Sequence, residues 1–186
     1  MYIYILLLVL GFSSNIASTY TAFYSERLGK QAGTFITILL RDVLGIPVWV
    51  IGFVVAIGNN RETLFPTSAV SMVAAWVLII SGAVIVIASL LSIRLKAAAP
   101  SMDDKLVNTG LYAYMRHPVH LGTLLGFLGM FMLWPSFDVM ISVLIGIAWL
   151  IIQSKAEEHD LLRRINGYRD YMAKVPGFFP SLMREK

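Results

Sequence analysis

Apolar residues occur along the chain in long runs that are separated by short polar segments. A run of about 20 apolar residues is long enough to cross a bilayer as a helix. Residues 121–133 are too few for a full crossing by themselves and reach that length only if the residues around Val119 are included. The turn at 134–136 lies between the last two runs and predicts a C-terminal helical hairpin. We therefore predict an all-α polytopic membrane helical bundle with about five transmembrane helices. The runs cover residues 1–21, 36–57, 68–93, 121–133 and 139–152.

Arg41 and Asp42 interrupt the second apolar run. Neighbouring residues on a helix point about 100° apart, so we expect these two side chains not to pair with each other. Two interpretations stay open. Either the pair marks the membrane interface and the span begins near Val43, or Arg41 faces the bundle interior near a substrate head group. Pro47 is expected to kink this helix.

The glycines of the hairpin's first arm recur at three- and four-residue spacing, at Gly122, Gly126 and Gly129. This spacing places them on one face of a helix, where the absence of side chains permits close approach of a second helix or of a ligand.

The tail from residue 155 to the C-terminus changes character. Up to Ala173 its apolar residues fit an amphipathic helix that Gly167 interrupts, and Pro176 and Pro180 then stop the helix. Such a segment does not span a membrane. We predict a cytosolic amphipathic cap, within a single membrane domain that has three spans in residues 1–96 and the loop, hairpin and cap in residues 97–180.

The composition supports a membrane protein, because only 14% of the 186 residues are charged, against about 25% in soluble domains. The chain has no cysteine, which excludes disulfides, thiolate metal sites and cysteine nucleophiles, and its three histidines make a metal centre unexpected. The net charge of +4 fits the excess of Lys and Arg on the cytoplasmic side of membrane proteins, so we expect no nucleic-acid partner.

Charge also predicts the orientation. With five spans and the N-terminus outside, all of the 15 Lys and Arg residues except Arg61 lie on the cytosolic side, as the positive-inside rule requires. The opposite orientation violates that rule almost completely. Residues 103–107, residues 110–122 and the tail then share the cytosolic face.

Residues 110–122 read GLYAYMRHPVHLG and place Arg116, His117 and His120 at the start of an apolar run. Charged and ionisable groups at such a position are costly unless they face a cavity, a ligand or one another. Each cluster on this face also has an ordinary interpretation. Arg116 can be a membrane anchor, the nearby tyrosines an aromatic belt, and the carboxylates at residues 157–158 partners of the arginines at residues 163–164.

The order of these pieces resembles the isoprenylcysteine carboxyl methyltransferase and phospholipid methyltransferase superfamily. The resemblance covers residues 104–180, and its specificity lies in the order and spacing of the motifs. The pieces are Gly110-Leu111-Tyr112, Arg116-His117-Pro118-Val119-His120-Leu121-Gly122, Glu157-Glu158-His159-Asp160-Leu161, Tyr168-Arg169-Asp170-Tyr171 and Val175-Pro176.

The resemblance implies an S-adenosylmethionine pocket that is open to the cytosol, beside a lipid-facing tunnel for an apolar acceptor. Backbone groups near Leu106 and Val107 would contact the adenine edge, His117 and a carboxylate would hold the amino-acid end and the ribose, and Tyr112 would offer its ring to the sulfonium. The residues implied for cofactor binding are Asp104, Lys105, Leu106, Val107, Tyr112, His117, Pro118, Val119, His120 and Glu157.

Two departures from the family pattern bear on the chemistry. His120 stands where the family usually has Tyr, so it is either a general base toward the acceptor or only a lining residue. Gln153 stands where the prenylcysteine enzymes place the Arg that grips a carboxylate, which argues against a carboxylate acceptor. We predict His120 and Arg116 as catalytic residues, and Gln153 and Arg41 as substrate-binding residues.

Two other functions compete with a methyltransferase. An NADPH-dependent sterol or steroid reductase of the related fold shares the Arg-His-Pro element, but it usually carries an acidic residue where this chain has Thr123. A non-catalytic membrane scaffold with a decayed motif is the third possibility. The departures at His120 and Gln153 favour it, as does Ala97, which stands where the prenylcysteine enzymes use a Gln for the cofactor.

Overall fold

The computed structural model describes residues 2–59, 62–93 and 100–180. Ala97 and the predicted boundary at residues 96–97 lie outside the described residues. The described chain is all-helical, as the apolar pattern predicts. Its helices are α1 (Ile3–Ser18), α2 (Thr21–Leu28), α3 (Lys30–Ile38), a π-helical segment (Leu39–Gly45), α4 (Ile46–Gly58), α5 (Ala69–Ile93), a 3₁₀ turn (Gly110–Ala113), α6 (Pro118–Leu133), α7 (Phe137–Arg164) and α8 (Tyr168–Lys174).

Three helices in the described chain are long and apolar enough to cross a membrane: Lys30–Gly58, Ala69–Ile93 and Phe137–Arg164. The pair α1 and α2, bent by 62°, adds a fourth candidate. The predicted fourth span, α6, has 16 residues, so its rise of about 24 Å is below the roughly 30 Å of hydrocarbon in a typical bilayer.

The second span is one helix from Lys30 to Gly58, and Arg41 and Asp42 lie in its π-helical segment. The expectation that these two side chains do not pair is wrong. Arg41 Nε donates to Asp42 Oδ1 at 2.7 Å and Arg41 Nη2 donates to Asp42 Oδ2 at 2.9 Å. The π turn departs from α-helical spacing, and the long guanidinium stem reaches the adjacent carboxylate. Pro47 follows the π-helical segment inside this continuous helix, and the kink expected at Pro47 stays a prediction.

Aromatic side chains from α1, α4, α6 and α7 form the centre of the bundle. Phe12 stacks on Trp149 with ring centroids 4.5 Å apart, and Phe53 stacks on Phe127 at 5.0 Å. Trp49 lies beside all four of these rings. These contacts fix α7, and therefore its polar C-terminal third, relative to the N-terminal helices.

α5 packs on α6 from the outside, as the glycine spacing predicts. A Cβ on Gly82 would lie 2.4 Å from the carbonyl oxygen of Gly122, and one on Gly129 would lie 2.7 Å from that of Ala75. The backbone nitrogen of Gly126 also lies at this crossing, 3.1 Å from the position of a Cβ on Gly82, although a Cβ on Gly126 itself would point into open space. The opposite face of α5 exposes large apolar side chains, such as Val70 at 80%, as a lipid-facing helix does.

The tail differs from the prediction at its start. α7 continues without a break from Phe137 to Arg164, so residues 155–164 belong to the last long helix rather than to a separate cap. Polar residues do not end this helix, because its buried stripe continues on one side through Asp160. Gly167, with φ +79°, then reverses the chain into the short α8.

Candidate functional site

The site is built at the N-terminus of α6, where three parts of the chain meet. Pro118 begins α6, since its fixed φ suits the first helical position. His117 is the N-cap residue, with a non-helical backbone at φ −122° and ψ 56°. His120 follows three residues later, which brings the two rings to the same side at a centroid distance of 5.1 Å. Both imidazoles are buried.

α7 supplies the facing side of the site. Trp149, Gln153 and Glu157 recur every fourth residue and therefore share one helix face. Gln153 Nε2 donates to Glu157 Oε1 at 3.0 Å, and Trp149 lies 6.4 Å from the ring of His120. Trp149 Nε1 and Gln153 Oε1 are buried without a hydrogen-bond partner among the described residues.

Glu158 is the acid that Arg116 contacts. Arg116 Nε and Nη2 donate to Glu158 Oε1 at 3.0 and 2.7 Å, and His117 Nε2 lies 3.0 Å from the same oxygen. Both members of the ion pair are largely buried, with side-chain exposures of 12% and 7%. Such a pair needs these additional hydrogen bonds to offset the cost of removing charge from water.

The tail closes over this ion pair. Arg116 Nη1 donates to the carbonyl oxygens of Met172 and Val175. The backbone N–H groups of Arg116 and His117 donate to the carbonyl oxygen of Gly177 at 3.1 and 2.9 Å. These bonds place Phe178 against the site, with its ring 5.6 Å from His117 and 6.4 Å from His120.

Glu157 lies between the two imidazoles without hydrogen-bonding either one. His117 Nδ1 is 3.6 Å from Glu157 Oε2, and His120 Nε2 is 3.7 Å from Glu157 Oε1. One ligand atom from each of the three residues lies within 4.8 Å of the others, which is close enough to hold a metal ion. The sequence led us to expect no metal centre, and this geometry was not visible in the spacing of the histidines.

The protonation states of the groups outside the spans follow from burial and charge. Burial disfavours the imidazolium of His117, but its hydrogen bond to Glu158 and the nearby negative charges of Glu157 and Glu158 outweigh this cost and raise the pKa of His117. Burial, reinforced by the charge of Glu157, raises the pKa of Tyr112. Burial also raises the pKa of Tyr171 to about 12. The two phenols therefore stay neutral at physiological pH and cannot act as bases.

Residues 70–169, which are more than half of the chain, match the family model of the phospholipid methyltransferases. The chain belongs to the phospholipid methyltransferase family. The matched region begins at the start of α5 and ends in α8, so it contains His117, His120, Glu157 and Glu158. The resemblance seen in the sequence motifs is confirmed, and the family supports a membrane methyltransferase.

A similar protein is the nickel-cobalt-cadmium resistance protein NccN of Alcaligenes xylosoxydans xylosoxydans. It is 28% identical over 83 residues, which are 43% of this chain and 38% of the relative. The match therefore spans well under half of the relative's length. No solved structure matches this member of the family.

The residues predicted for the adenine side of the cofactor lie on the loop before the 3₁₀ turn. Asp104 Oδ2 accepts from Arg164 at 2.7 Å, so its carboxylate already has a cationic partner. Lys105 is exposed. Leu106 and Val107 line a cavity of about 390 Å³ at the end of α5, together with Leu91, Ser92, Ile93, Asn108 and Thr109.

The other predicted residues take different positions. Tyr112 accepts a hydrogen bond on its carbonyl oxygen from the Tyr171 hydroxyl at 2.6 Å. Pro118 is buried, and Val119 is half-buried in the first turn of α6. Arg116 directs its guanidinium at Glu158 and the tail, and Arg41 pairs with Asp42. The catalytic role of Arg116 and the substrate roles of Gln153 and Arg41 stay predictions.

Sequence reasoning missed a second ion-pair cluster that attaches the loop to α7. Arg164 binds Asp104 as well as Asp160, at 2.7 Å each, and Asp160 Oδ1 accepts from the backbone N–H of Ala22 at 2.8 Å. The ordinary interpretation, in which the carboxylates at 157–158 pair with the arginines at 163–164, is wrong, since Arg163 binds Glu26. The signal that could have found the cluster is the four-residue spacing of Asp160 and Arg164.

Proposed function

We propose that this protein is an integral membrane methyltransferase that uses S-adenosylmethionine to methylate a small apolar or lipid-like acceptor. One observation carries the proposal. The phospholipid methyltransferase match spans residues 70–169, and the polar residues of its motifs, far apart in sequence, converge on the N-terminus of α6. This convergence at a helix start beside the tail supports a binding site there.

The side chains present suit the chemical groups of S-adenosylmethionine. Glu157 is partly accessible, with a side-chain exposure of 31%, and can accept hydrogen bonds from an ammonium or from ribose hydroxyls. Trp149 Nε1 and Gln153 Oε1 supply a buried donor and a buried acceptor that have no partner in the described chain. The ring of Tyr112 suits a sulfonium, because aromatic faces attract cations.

Methyl transfer from a sulfonium is an in-line displacement, for which the bound cofactor supplies an already activated methyl group. The protein therefore has to orient the acceptor and exclude water. The Arg116–Glu158 pair helps to exclude water indirectly, because Arg116 holds the tail and Phe178 over the histidines. His120 is the group positioned to receive a proton from an amine, thiol or hydroxyl acceptor.

The acceptor is proposed to be apolar because the elements around the site are built for lipid. α5 exposes Val70, Val73 and Leu91 on its outer face, and the family acts within membranes. Gln153, a neutral amide hydrogen-bonded to Glu157, cannot form the charged bidentate pair by which an arginine holds a carboxylate. An acceptor without a carboxylate fits this position better.

Equilibrium binding of labelled S-adenosylmethionine to detergent-purified protein tests the proposal. The Glu157→Gln variant should bind at least about tenfold more weakly, since a hydrogen bond to a charged group contributes about 1.5–3 kcal/mol. Asp170→Asn is the matched control, because it removes an exposed carboxylate on α8. It should bind like the unmodified protein.

Two results would contradict the proposal. A folded sample that binds no S-adenosylmethionine at millimolar concentration would leave the non-catalytic scaffold as the better function. Tight binding of NADPH with no binding of S-adenosylmethionine would favour the reductase.

A further inference from the structure

We propose that His117, His120 and Glu157 form a binding site for a divalent transition-metal ion such as Zn²⁺ or Co²⁺. This inference goes beyond the methyltransferase function and does not depend on it, because it follows from the geometry of the side chains. An ion bound here would occupy the nitrogen lone pair of His120, so metal binding and proton transfer at His120 are alternative states of the site.

The distances between the three groups fit a metal site better than they fit hydrogen bonds. The separations of 3.6 Å for His117 Nδ1–Glu157 Oε2 and 3.7 Å for His120 Nε2–Glu157 Oε1 exceed the range of N–H···O hydrogen bonds. Zinc bonds of about 2.0–2.1 Å in a tetrahedron place ligand atoms roughly 3.3–3.5 Å apart. One ligand atom from each of the three residues lies within 4.8 Å of the others, so side-chain adjustments of at most about 1.5 Å would bring all three groups to an ion between them.

The surroundings of His117 are those of a histidine ligand. Its Nε2 lies 3.0 Å from Glu158 Oε1, so the N–H belongs on Nε2, and a metal ion would replace the proton on Nδ1, which faces Glu157. Metal-binding histidines almost always donate their second ring nitrogen to a carboxylate or carbonyl in this way, which fixes the tautomer and raises the basicity of the ligand. Arg116, bound to the same oxygen of Glu158, holds that carboxylate in place.

Gln153 provides an independent sign that the site accommodates another atom. Its amide nitrogen is fixed by Glu157, while its Oε1 is buried and lacks a hydrogen-bond partner among the described residues. The side chain as a whole is only 9% exposed. Buried polar atoms in folded proteins nearly always have a partner. Gln153 lies one helical turn from Glu157, so a water ligand of an ion bound to Glu157 would supply the missing hydrogen bond to Gln153 Oε1.

The donor set selects the class of ion. Two imidazoles and one carboxylate suit zinc, cobalt, nickel and ferrous ions, whereas Mg²⁺ and Ca²⁺ prefer sites built from oxygen. The chain has no cysteine, so soft thiolate coordination does not compete. Three protein ligands leave at least one coordination position open for water or for a small molecule.

Titration of the tag-free, chelator-stripped full chain with Co²⁺, without any cofactor, tests the site. We expect one ion per chain and the visible absorption bands of a low-coordinate Co²⁺ complex. His120→Asn and Glu157→Gln should each weaken binding at least about tenfold, since even partners outside the ligand set change metal affinity by about 10–100-fold. His159→Asn removes the remaining histidine, which is exposed on α7, and should bind like the unmodified chain.

The site is refuted if folded protein binds no Co²⁺ at millimolar concentration, if His120→Asn binds as well as the unmodified chain, or if His159→Asn loses the ion. X-ray absorption of the Zn²⁺ complex of the unmodified chain adds a measurement that needs no variant. Two imidazole ligands are expected, and one or none overturns the proposal. Because cofactor is absent throughout, a failure here is distinct from a failure to bind S-adenosylmethionine.

Discussion

The guanidinium of Arg116 binds groups that lie far apart in the sequence, and removing it should loosen the whole site. Arg116→Gln leaves the buried Glu158 carboxylate without its main cation, for which a cost of about 3–5 kcal/mol is typical. The carbonyl oxygens of Met172 and Val175 lose their donor as well. We expect a clear fall in the thermal unfolding temperature and faster proteolysis after α8.

Arg163→Gln is the matched control for this change. It breaks the pair with Glu26, in which both side chains are exposed, at 42% and 47%, and an exposed pair contributes about 0–1 kcal/mol. Equal destabilisation by the two variants would show that Arg116 is an ordinary surface cation and that the tail is held by other contacts.

At the same scale, the sequence identified the residue types of the site but not their pairing. His117, His120 and Glu157 were predicted together from the family motif. The pairing of Arg116 with Glu158 was not predicted, because the spacing of motifs does not show which of two adjacent carboxylates on α7 faces Arg116. Phe178 could not be predicted, since it reaches the site only through backbone bonds from residue 177 to Arg116 and His117.

Between elements, the contact of α5 with α6 depends on the absence of side chains at one crossing. Gly82→Ala would place a Cβ 2.4 Å from the carbonyl oxygen of Gly122, and a backbone atom cannot move aside as a side chain can. We expect destabilisation of about 1–3 kcal/mol, as for other overpacked contacts, measured as a lower unfolding temperature in detergent.

Gly126→Ala, on α6 at the same crossing, is the control, because the added Cβ has nothing within 4 Å. It should leave stability unchanged or raise it slightly, since alanine favours helix over glycine by about 1 kcal/mol. If both substitutions had the same effect, the close approach at Gly82 would not be what holds α5 against α6.

Helix positions were largely predictable, and the exceptions have local causes. Apolar runs indicated α5, α6 and the start of α7 to within a few residues. The start of α3 at Lys30 was not indicated, because residues 30–33 are polar and only Gly29, with φ +90°, breaks the chain. The continuation of α7 past residue 152 was also not indicated by the apolar pattern. The buried residues of this part of the helix are polar, because they pack on other elements rather than on lipid.

Over the whole molecule, polar contacts cluster at the two opposite ends of the helical bundle. At one end, Asp138 accepts from Tyr4 and Asn59, and Leu64 N–H donates to the carbonyl oxygen of Pro135 at 2.6 Å. At the other end lie the ion pairs of Arg116 and Arg164. The short α6 therefore joins the same two ends as the long α5, although its length alone does not qualify it as a span.

This arrangement predicts which positions share a side of the membrane, and the absence of native cysteine makes it testable with single introduced cysteines. We expect a membrane-impermeant maleimide to label Thr67→Cys and Trp134→Cys in intact cells. Lys174→Cys, which is on α8 near the site, should be labelled only after permeabilisation, because the positive-inside rule places the arginine-rich end in the cytosol. If only Lys174→Cys were labelled in intact cells, the orientation would be opposite to the predicted one. If Thr67→Cys were labelled but Trp134→Cys were protected, the α6–α7 hairpin would not cross the membrane.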